Sequence, residues 1–216
     1  MPTKSTSKPQ REAADETPVR RRILDAAFSA FMERGFAETS TLEIATRARV
    51  SKRELYALVG SKQQMLAACI GERAKRLQVP TDLPEPYDRE TLARTLVTFG
   101  TQLLREVSDP TVIAVFRLAI AEAARAPEVA QALSSIGVET SRAALREILS
   151  RARSAGLLGG ELTEMAEHFA GLLWGNLMTS LLLRTADRPA PREIARRAIA
   201  AAAGLLQLSP QPGRAL

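Results

Sequence analysis

The sequence predicts an all-α protein of about nine helices, with an N-terminal three-helix, homeodomain-like helix-turn-helix domain and a C-terminal helical bundle. Three observations point there. No apolar run alternates with period two, so strands are not expected. Helix-start signals, a capping serine or a proline at the first helical position, recur along the whole chain. The 216 residues are 45% apolar and 25% charged but only 4% aromatic, and alanine and leucine are abundant, a balance that favours helices.

Residues 1–16 are polar, without apolar periodicity, and read as a disordered arm. Thr17 and Pro18 then open a helix in which Ile23, Leu24, Ala27, Phe28 and Phe31 recur at spacings of three and four, and Gly35 stops it. Three serines follow, each with a carboxylate or amide three positions on: Ser40 with Glu43, Ser51 with Glu54, Ser61 with Gln64. These capping boxes predict helix starts at about 41, 52 and 62. The two elements between them have room for only about two turns each, too short to be stable alone, so they must pack on the first helix and on the longer fourth one, which runs to about Leu77.

Residues 79–88 hold three prolines and break the helix, which places a domain boundary there and divides the ordered chain into 17–78 and 79–216. Beyond the break the pattern predicts helices at about 89–107, 110–125, 128–155, 163–184 and 192–208. Asp109 before Pro110, Pro127 and Pro191 mark starts, and Gly156, Gly159 and Gly160 close the longest.

Charge separates the two parts. Residues 1–78 hold 15 Lys and Arg against 9 Asp and Glu, an excess of six, whereas residues 79–216 hold 15 of each. Every lysine lies at or before Lys75. A basic part joined to a neutral one suggests a polyanion partner for the first, the alternative being a merely solvated basic surface.

The unit STLEIATRARVSKRELYALVG, residues 40–60, has the plan of two short helices meeting through a tight turn, the second lying in a DNA major groove with its first residues facing the bases. Ala45 is small where the helices cross. Ile44, Val50 and Leu55 are apolar where the unit joins its own core, Ser51 caps the second helix, and Lys52, Arg53 and Glu54 are left to the outside. A basic helix start suits phosphates and base edges better than a core.

These residues carry a family resemblance. From about Arg20 to Leu77 the chain resembles the DNA-binding domain of TetR (tetracycline-repressor-like) regulators, with Thr39, Ile44, Ala45, Ala48, Val50, Ser51, Leu55, Tyr56, Ser61 and Lys62 in register. Three positions depart: Arg49 stands at the usual turn glycine, Val59 at the usual phenylalanine and Gly60 at the usual proline. Arg49 then needs a left-handed or bridging backbone at ~1 kcal/mol, unless the turn is tightened differently. The other two changes are expected to loosen the packing behind the second helix. The resemblance implies that Ser40 or Thr41, Tyr56 and Lys62 hold DNA phosphates, that Lys52, Arg53 and Glu54 address the groove, and that Arg49 and Ser51 flank them at the turn. Tyr56 has a competing reading as a buried core ring. Arg53 is the favoured base reader, since a guanidinium can hold guanine O6 and N7 together.

The stretch RLAIAEAARAPEV, residues 117–129, resembles the AefR-like subgroup, and this extends the likeness over most of the chain. It implies a homodimer built on the last two long helices. Ala166, Ala170, Gly171 and Gly175 offer a small-residue stripe beside Leu172, Leu173, Leu177 and Leu181, of which Ala170, Leu173, Leu177 and Leu181 are the expected interface. Phe99, Leu103, Phe116, Ile120, Trp174 and Met178 either line an apolar effector cavity or are simply core. No ligand chemistry is indicated, and no cofactor is implied.

His168, the only histidine, follows Glu164 by four residues and either pairs with it or binds metal. Helical di-iron sites need Glu-x-x-His from two helices, so no metal site is expected. Cys69, the only cysteine, fits a reducing cytoplasm and reads as a small buried hydrophobe rather than a redox sensor. No run approaches the ~20 apolar residues that span a bilayer, and the candidate around 169–183 is interrupted by Gly171, Gly175 and Asn176.

The expected protein is therefore a DNA-binding regulator, in most family members a repressor, that binds a palindromic double-stranded operator as a dimer and answers to an apolar small molecule. The alternatives are an architectural DNA-binding protein and a helical-bundle enzyme. The enzyme lacks any recognisable nucleophile, phosphate loop or metal motif. The architectural protein would spread its basic surface more widely. DNA affinity should fall steeply with salt, each phosphate contact adding about 0.9 to the log–log slope, which binding titrations at several salt concentrations measure.

Overall fold

The computed structural model describes residues 18–74 and 87–209. The arm at 1–16 and most of the proline-rich break lie outside the described residues. Among those residues every regular element is helical. The chain divides into two compact units between Cys69 and Ile70, which is earlier than the expected boundary and inside a helix.

The first unit holds α1 (Pro18–Arg34), α2 (Thr41–Ala48), α3 (Lys52–Val59) and the start of α4 (Lys62–Ala74). The starts of α2, α3 and α4 coincide with the three serine caps. In its core Ile23, Ala27, Phe31, Phe36, Ile44, Leu55 and Met65 are almost fully buried, with the Phe31 and Phe36 ring centres 5.3 Å apart and the rings tilted. Cys69 is buried and its thiol donates to the Leu24 carbonyl at 3.4 Å. Thus α2 contributes Ile44, Ala45 and Ala48 and α3 contributes Leu55 and Val59, and both helices are stabilised by packing on α1 and on each other.

The second unit holds α5 (Arg89–Val107), α6 (Pro110–Glu122), α7 (Pro127–Ala132), α8 (Glu139–Ser154), α9 (Leu162–Trp174), α10 (Leu177–Leu182) and α11 (Pro191–Leu208). Asp88 caps α5 by accepting the Thr91 N–H at 2.7 Å, and Asp109 caps α6 by accepting that of Thr111 at 2.9 Å. Helices α5, α9 and α11 meet at Gly100. A Cβ added there would stand 3.1 Å from Leu173, 3.2 Å from Phe169 and 3.4 Å from Ala198, so glycine sets the depth of contact. Arg89, at the start of α5, donates to the carbonyls of Leu157 (2.9 Å), Ser209 (3.0 Å) and Leu206. One guanidinium thus ties the end of α11 and the loop after α8 to α5.

Two of the expected long helices are interrupted. The helix read at 128–155 contains a π-helical turn at Leu133–Val138 between α7 and α8. The one read at 163–184 breaks at Gly175 (φ 47°, ψ −125°), which ends α9 before α10 begins. Its last carbonyl, on Trp174, accepts a hydrogen bond from Arg197 at 3.4 Å, and Arg117 caps the end of α10 through the carbonyls of Leu181 (2.6 Å) and Leu182 (3.1 Å). The end of α9 and the end of α10 are thus both held from outside the helix.

Three of the four expected interface residues face inward. Leu173, Leu177 and Leu181, expected at a dimer interface, are at most 6% exposed and belong to the chain's own core, while Ala170 is only partly covered. Gly171 and Leu172 carry the outer face of α9 instead. Leu181→Asp should therefore unfold the second unit, by ~3 kcal/mol or more for an unpaired buried charge. Thermal denaturation followed by circular dichroism measures the loss.

Candidate functional site

The surface built by α2 and α3 starts from its caps. Ser40 Oγ accepts the Glu43 N–H at 3.1 Å and Ser51 Oγ accepts the Glu54 N–H at 3.1 Å. Neither glutamate returns the bond in the manner of a capping box. Glu43 turns to Arg47 (2.7 Å) and Arg34 (3.2 Å), and Arg47 also donates to Glu33 at 2.7 Å. That last bond holds the Glu33 carboxyl below the usual carboxylate range.

Arg49 is in the left-handed conformation (φ 53°, ψ 49°) at the end of α2. Its N–H reaches the Thr46 carbonyl at 3.2 Å and the Val50 N–H reaches that of Ala45 at 3.0 Å, the pattern in which a helix closes on a left-handed residue. Arg22 Nε caps the Ala48 carbonyl at 2.7 Å. The turn is thus formed around an arginine where glycine would cost ~1 kcal/mol less. Beyond it Ser51, Lys52, Arg53 and Glu54 are exposed in succession, while Leu55 is fully buried and Val59 nearly so. The first turn of α3 faces solvent because its next residue is an anchor.

Tyr56 is 48% exposed and its hydroxyl shares a 3.1 Å hydrogen bond with Thr41 Oγ1, so the core reading of this ring is wrong. The bond places two hydroxyls side by side on the outer surface. Gly60 does not loosen the region as expected. It takes φ 77°, which proline cannot adopt, and Gln64 then closes a complete capping box, its Oε1 accepting the Ser61 N–H at 2.7 Å while Ser61 Oγ accepts the Gln64 N–H at 3.2 Å.

Lys62 is engaged within the fold. Its ammonium donates to the carbonyls of Phe36 (2.8 Å), Thr39 (3.1 Å) and Ala37 (3.2 Å) and lies 4.5 Å from the centre of the Phe36 ring. All three ammonium donors have internal acceptors, so Lys62 holds the segment after α1. Thr39 does related work. It is buried, and its hydroxyl lies 2.7 Å from the Gly35 carbonyl and 3.1 Å from that of Ala30. Among the described residues Arg49, Lys52 and Arg53 have neither an ion pair nor a side-chain hydrogen bond, which leaves them as the available cations on this face.

A cavity of about 360 Å³ lies within the second unit. Of the residues expected there, Leu103, Phe116, Trp174 and Met178 line it. Phe99 does not, being packed in the core against Phe169 with ring centres 6.3 Å apart, and Ile120 is 62% exposed. The rest of the wall comes from residues not expected there, among them Ile70 of α4, Glu106, Ser141, and Leu133, Gly137 and Val138 of the π-helical turn. The one local sign was a glycine inside a long predicted helix. His168 and Glu164 are exposed, and among the described residues no three His, Cys, Asp or Glu side chains group to hold a metal.

The family profile for bacterial regulatory proteins of the tetR family matches residues 23–69, and that for the AefR-like transcriptional repressor C-terminal domain matches residues 94–207. The chain belongs to the TetR family. Its surface at α2 and α3 is accordingly the helix-turn-helix of a DNA-binding transcriptional regulator, and both family and fold are those of regulators rather than enzymes.

Solved TetR-family structures resemble it over nearly their whole length. The flavonoid-responsive regulator FrrA is 31% identical, with 91% of this chain and 98% of that chain covered and a TM-score of 0.75. A TetR regulator from Agrobacterium tumefaciens is 25% identical over 91% and 96%, TM-score 0.75. A TetR-family regulator from Pseudomonas syringae pv. tomato str. DC3000 is 26% identical over 92% and 100%, TM-score 0.65. No curated protein matches the chain in sequence.

The two cations at the ends of this surface should separate on mutation. Lys62→Ala should lower the stability of the first unit by ~1–3 kcal/mol, since three carbonyls lose a charged donor, and leave the salt slope of DNA binding unchanged. Arg53→Ala should leave stability within ~0.5 kcal/mol of the parent. Denaturant unfolding and DNA titrations on the same variants make the comparison.

Proposed function

We propose that the chain is a ligand-responsive transcriptional repressor that binds a palindromic operator as a homodimer in the cytoplasm. The observation that carries this reading is the first turn of α3, where Lys52, Arg53 and Glu54 stand exposed on a helix anchored by Leu55. Arg53 reads a base pair, Lys52 and Glu54 share the groove, and Ser40, Thr41, Tyr56, Ser51 and the strained Arg49 hold phosphates around it. Arg53→Ala should relax discrimination by about 1–3 kcal/mol on the operator and much less on scrambled duplex.

Dimerisation uses the outer face of the packed pair α9 and α11. Leu172 is 45% and Ile199 57% exposed, Ala203 is exposed beside them, and Gly171 has open space where a side chain would stand. A Cβ on Gly204 would stand 2.9 Å from Leu172, so the two helices already lie close enough to present one surface. The cavity in the second unit takes the effector. FrrA is a flavonoid-responsive regulator, and its similarity over most of the chain supports a small, largely apolar molecule for this one.

Footprinting should show a short protected palindrome whose half-sites lie about 34–36 Å apart, as two recognition helices on one side of a duplex require. Ile199→Asp should remain folded but become monomeric by light scattering, and lose at least ~10-fold in operator affinity as the second half-site contact disappears. A variant that stays dimeric would move the interface elsewhere.

A further inference from the structure

Helices α9 and α11 run antiparallel, for the contacts between them ascend one helix as they descend the other. A Cβ on Gly204 would stand 2.9 Å from Leu172, while one on Gly175 would stand 3.7 Å from Arg197, whose guanidinium also reaches the Trp174 carbonyl. Along α9 and its two flanking residues, Glu161, Glu164, His168, Gly171 and Gly175 are exposed in steps of three and four, the repeat of one helix face. Along α11, Arg192, Arg196, Ile199 and Ala203 are exposed in the same steps.

The two stripes carry opposite charges at opposite ends. Glu164 and Arg196 each precede the Leu172–Gly204 contact by eight residues, about 12 Å, and Glu161 and Arg192 stand about 16–18 Å from it. Because the helices are antiparallel, the glutamates lie to one side of that contact and the arginines to the other. Among the described residues Glu161, Glu164 and Arg192 have no side-chain hydrogen bond or ion pair. Arg196 shares the Glu193 carboxylate with Arg197, each at 2.7 Å, so two guanidinium groups on one carboxylate leave that end cationic. A two-fold axis through the apolar centre sets each end of one protomer against the opposite end of the other.

We propose that this face admits a second copy of the chain in a single register, in which Arg192 and Arg196 of each protomer pair with Glu161 and Glu164 of its partner around Leu172, Ile199 and Ala203. The proposal rests on the reading of α9 and α11 as the dimer surface. It adds the orientation of the partner and the charges that select it. One exposed ion pair contributes little. The symmetry repeats each pair, however, and a reversed charge turns attraction into repulsion at both ends.

The test measures the dimer dissociation constant of the full-length chain without DNA, by dilution of a fluorescently labelled protomer. Reversing the anionic end (Glu161→Arg with Glu164→Arg) or the cationic end (Arg192→Glu with Arg196→Glu) should raise that constant at least ~10-fold, with folding checked by circular dichroism. Mixed in equal amounts, the two double variants should pair with each other within ~3-fold of the parent affinity. The chain carrying all four changes should recover its homodimer to the same extent, since both combinations restore opposite charges at both ends. The parent's own constant should rise at least ~3-fold between about 0.05 and 0.5 M salt.

Double variants that dimerise as tightly as the parent, a mixture that fails to pair, or a four-change chain no tighter than the double variants overturns the proposal. A parent dimer that keeps or gains affinity in salt overturns it too, a gain being the signature of like ends meeting. That measurement decides even where a variant fails to fold. Ile199→Asp separates these failures from failure of the surface itself. If it is monomeric, α9 and α11 remain the interface and only the charge register is wrong. If it stays dimeric, the interface lies elsewhere and the proposal falls with it.

Discussion

Every helix ends in carbonyls that have no donor within the helix, and short helices have proportionally more of them. In this chain long basic side chains supply many of the missing donors. Lys62 serves three carbonyls after α1, Arg22 the end of α2, Arg117 the end of α10, and Arg89 the end of α11 together with the loop after α8. Each bond joins segments at least 23 residues apart in sequence, so a local need is met by a tertiary contact. The architecture of both units depends on these donors. Without them the two-turn helices would present buried or half-buried carbonyls that nothing else satisfies.

That use of charge alters the meaning of the basic first third. Its excess of six positive charges reads from the sequence as a single polyanion-binding property, but the fold divides the cations into two groups. Arg22, Arg47 and Lys62 are held by carbonyls or carboxylates. Arg49, Lys52 and Arg53 remain on the exposed turn and helix start. A chain of the same net charge with these groups interchanged would have a weaker fold and a weaker DNA surface together. Arg49 shows the balance within one residue, since it accepts a left-handed backbone that glycine would adopt more readily and in return keeps a cation at the turn.

What was legible in the sequence follows the same division. Serine caps, prolines at helix starts and the anchors Ile44 and Leu55 act over a few residues, so they are readable in one dimension and they locate α2, α3 and α4. The function of the first unit follows from them because a helix-turn-helix is a local motif. The role of Lys62 was not legible, since its acceptors lie more than 20 residues upstream. The break at Gly175 and the π-helical turn at Leu133–Val138 were missed because periodicity counts residues and does not register a change of helical pitch or a restart after two residues. Leu173, Leu177 and Leu181 keep one inward face across that break, while Leu172 stands outside.

The cavity is where these irregularities come together. A regular α-helix at Leu133–Val138 would satisfy its own backbone and pack in a fixed register, whereas a π turn carries an extra residue per turn and turns a different set of side chains toward its neighbours. Leu133, Gly137 and Val138 reach the wall from that turn, and Trp174 and Met178 reach it from either side of the Gly175 break. Gly137 admits its neighbours closely, for a Cβ there would stand 3.2 Å from Leu133 and 3.6 Å from Ile70. Ile70 belongs to α4, the helix that begins with Lys62 in the helix-turn-helix unit. One continuous helix therefore contributes both to the support of the DNA-binding surface and to the wall of the chamber. An effector gains influence over DNA binding only through a difference in its affinity for two arrangements of the protein. The wall of this chamber sets a π turn and both sides of a broken helix against the regular helices α5 and α6 and against Ile70 of α4.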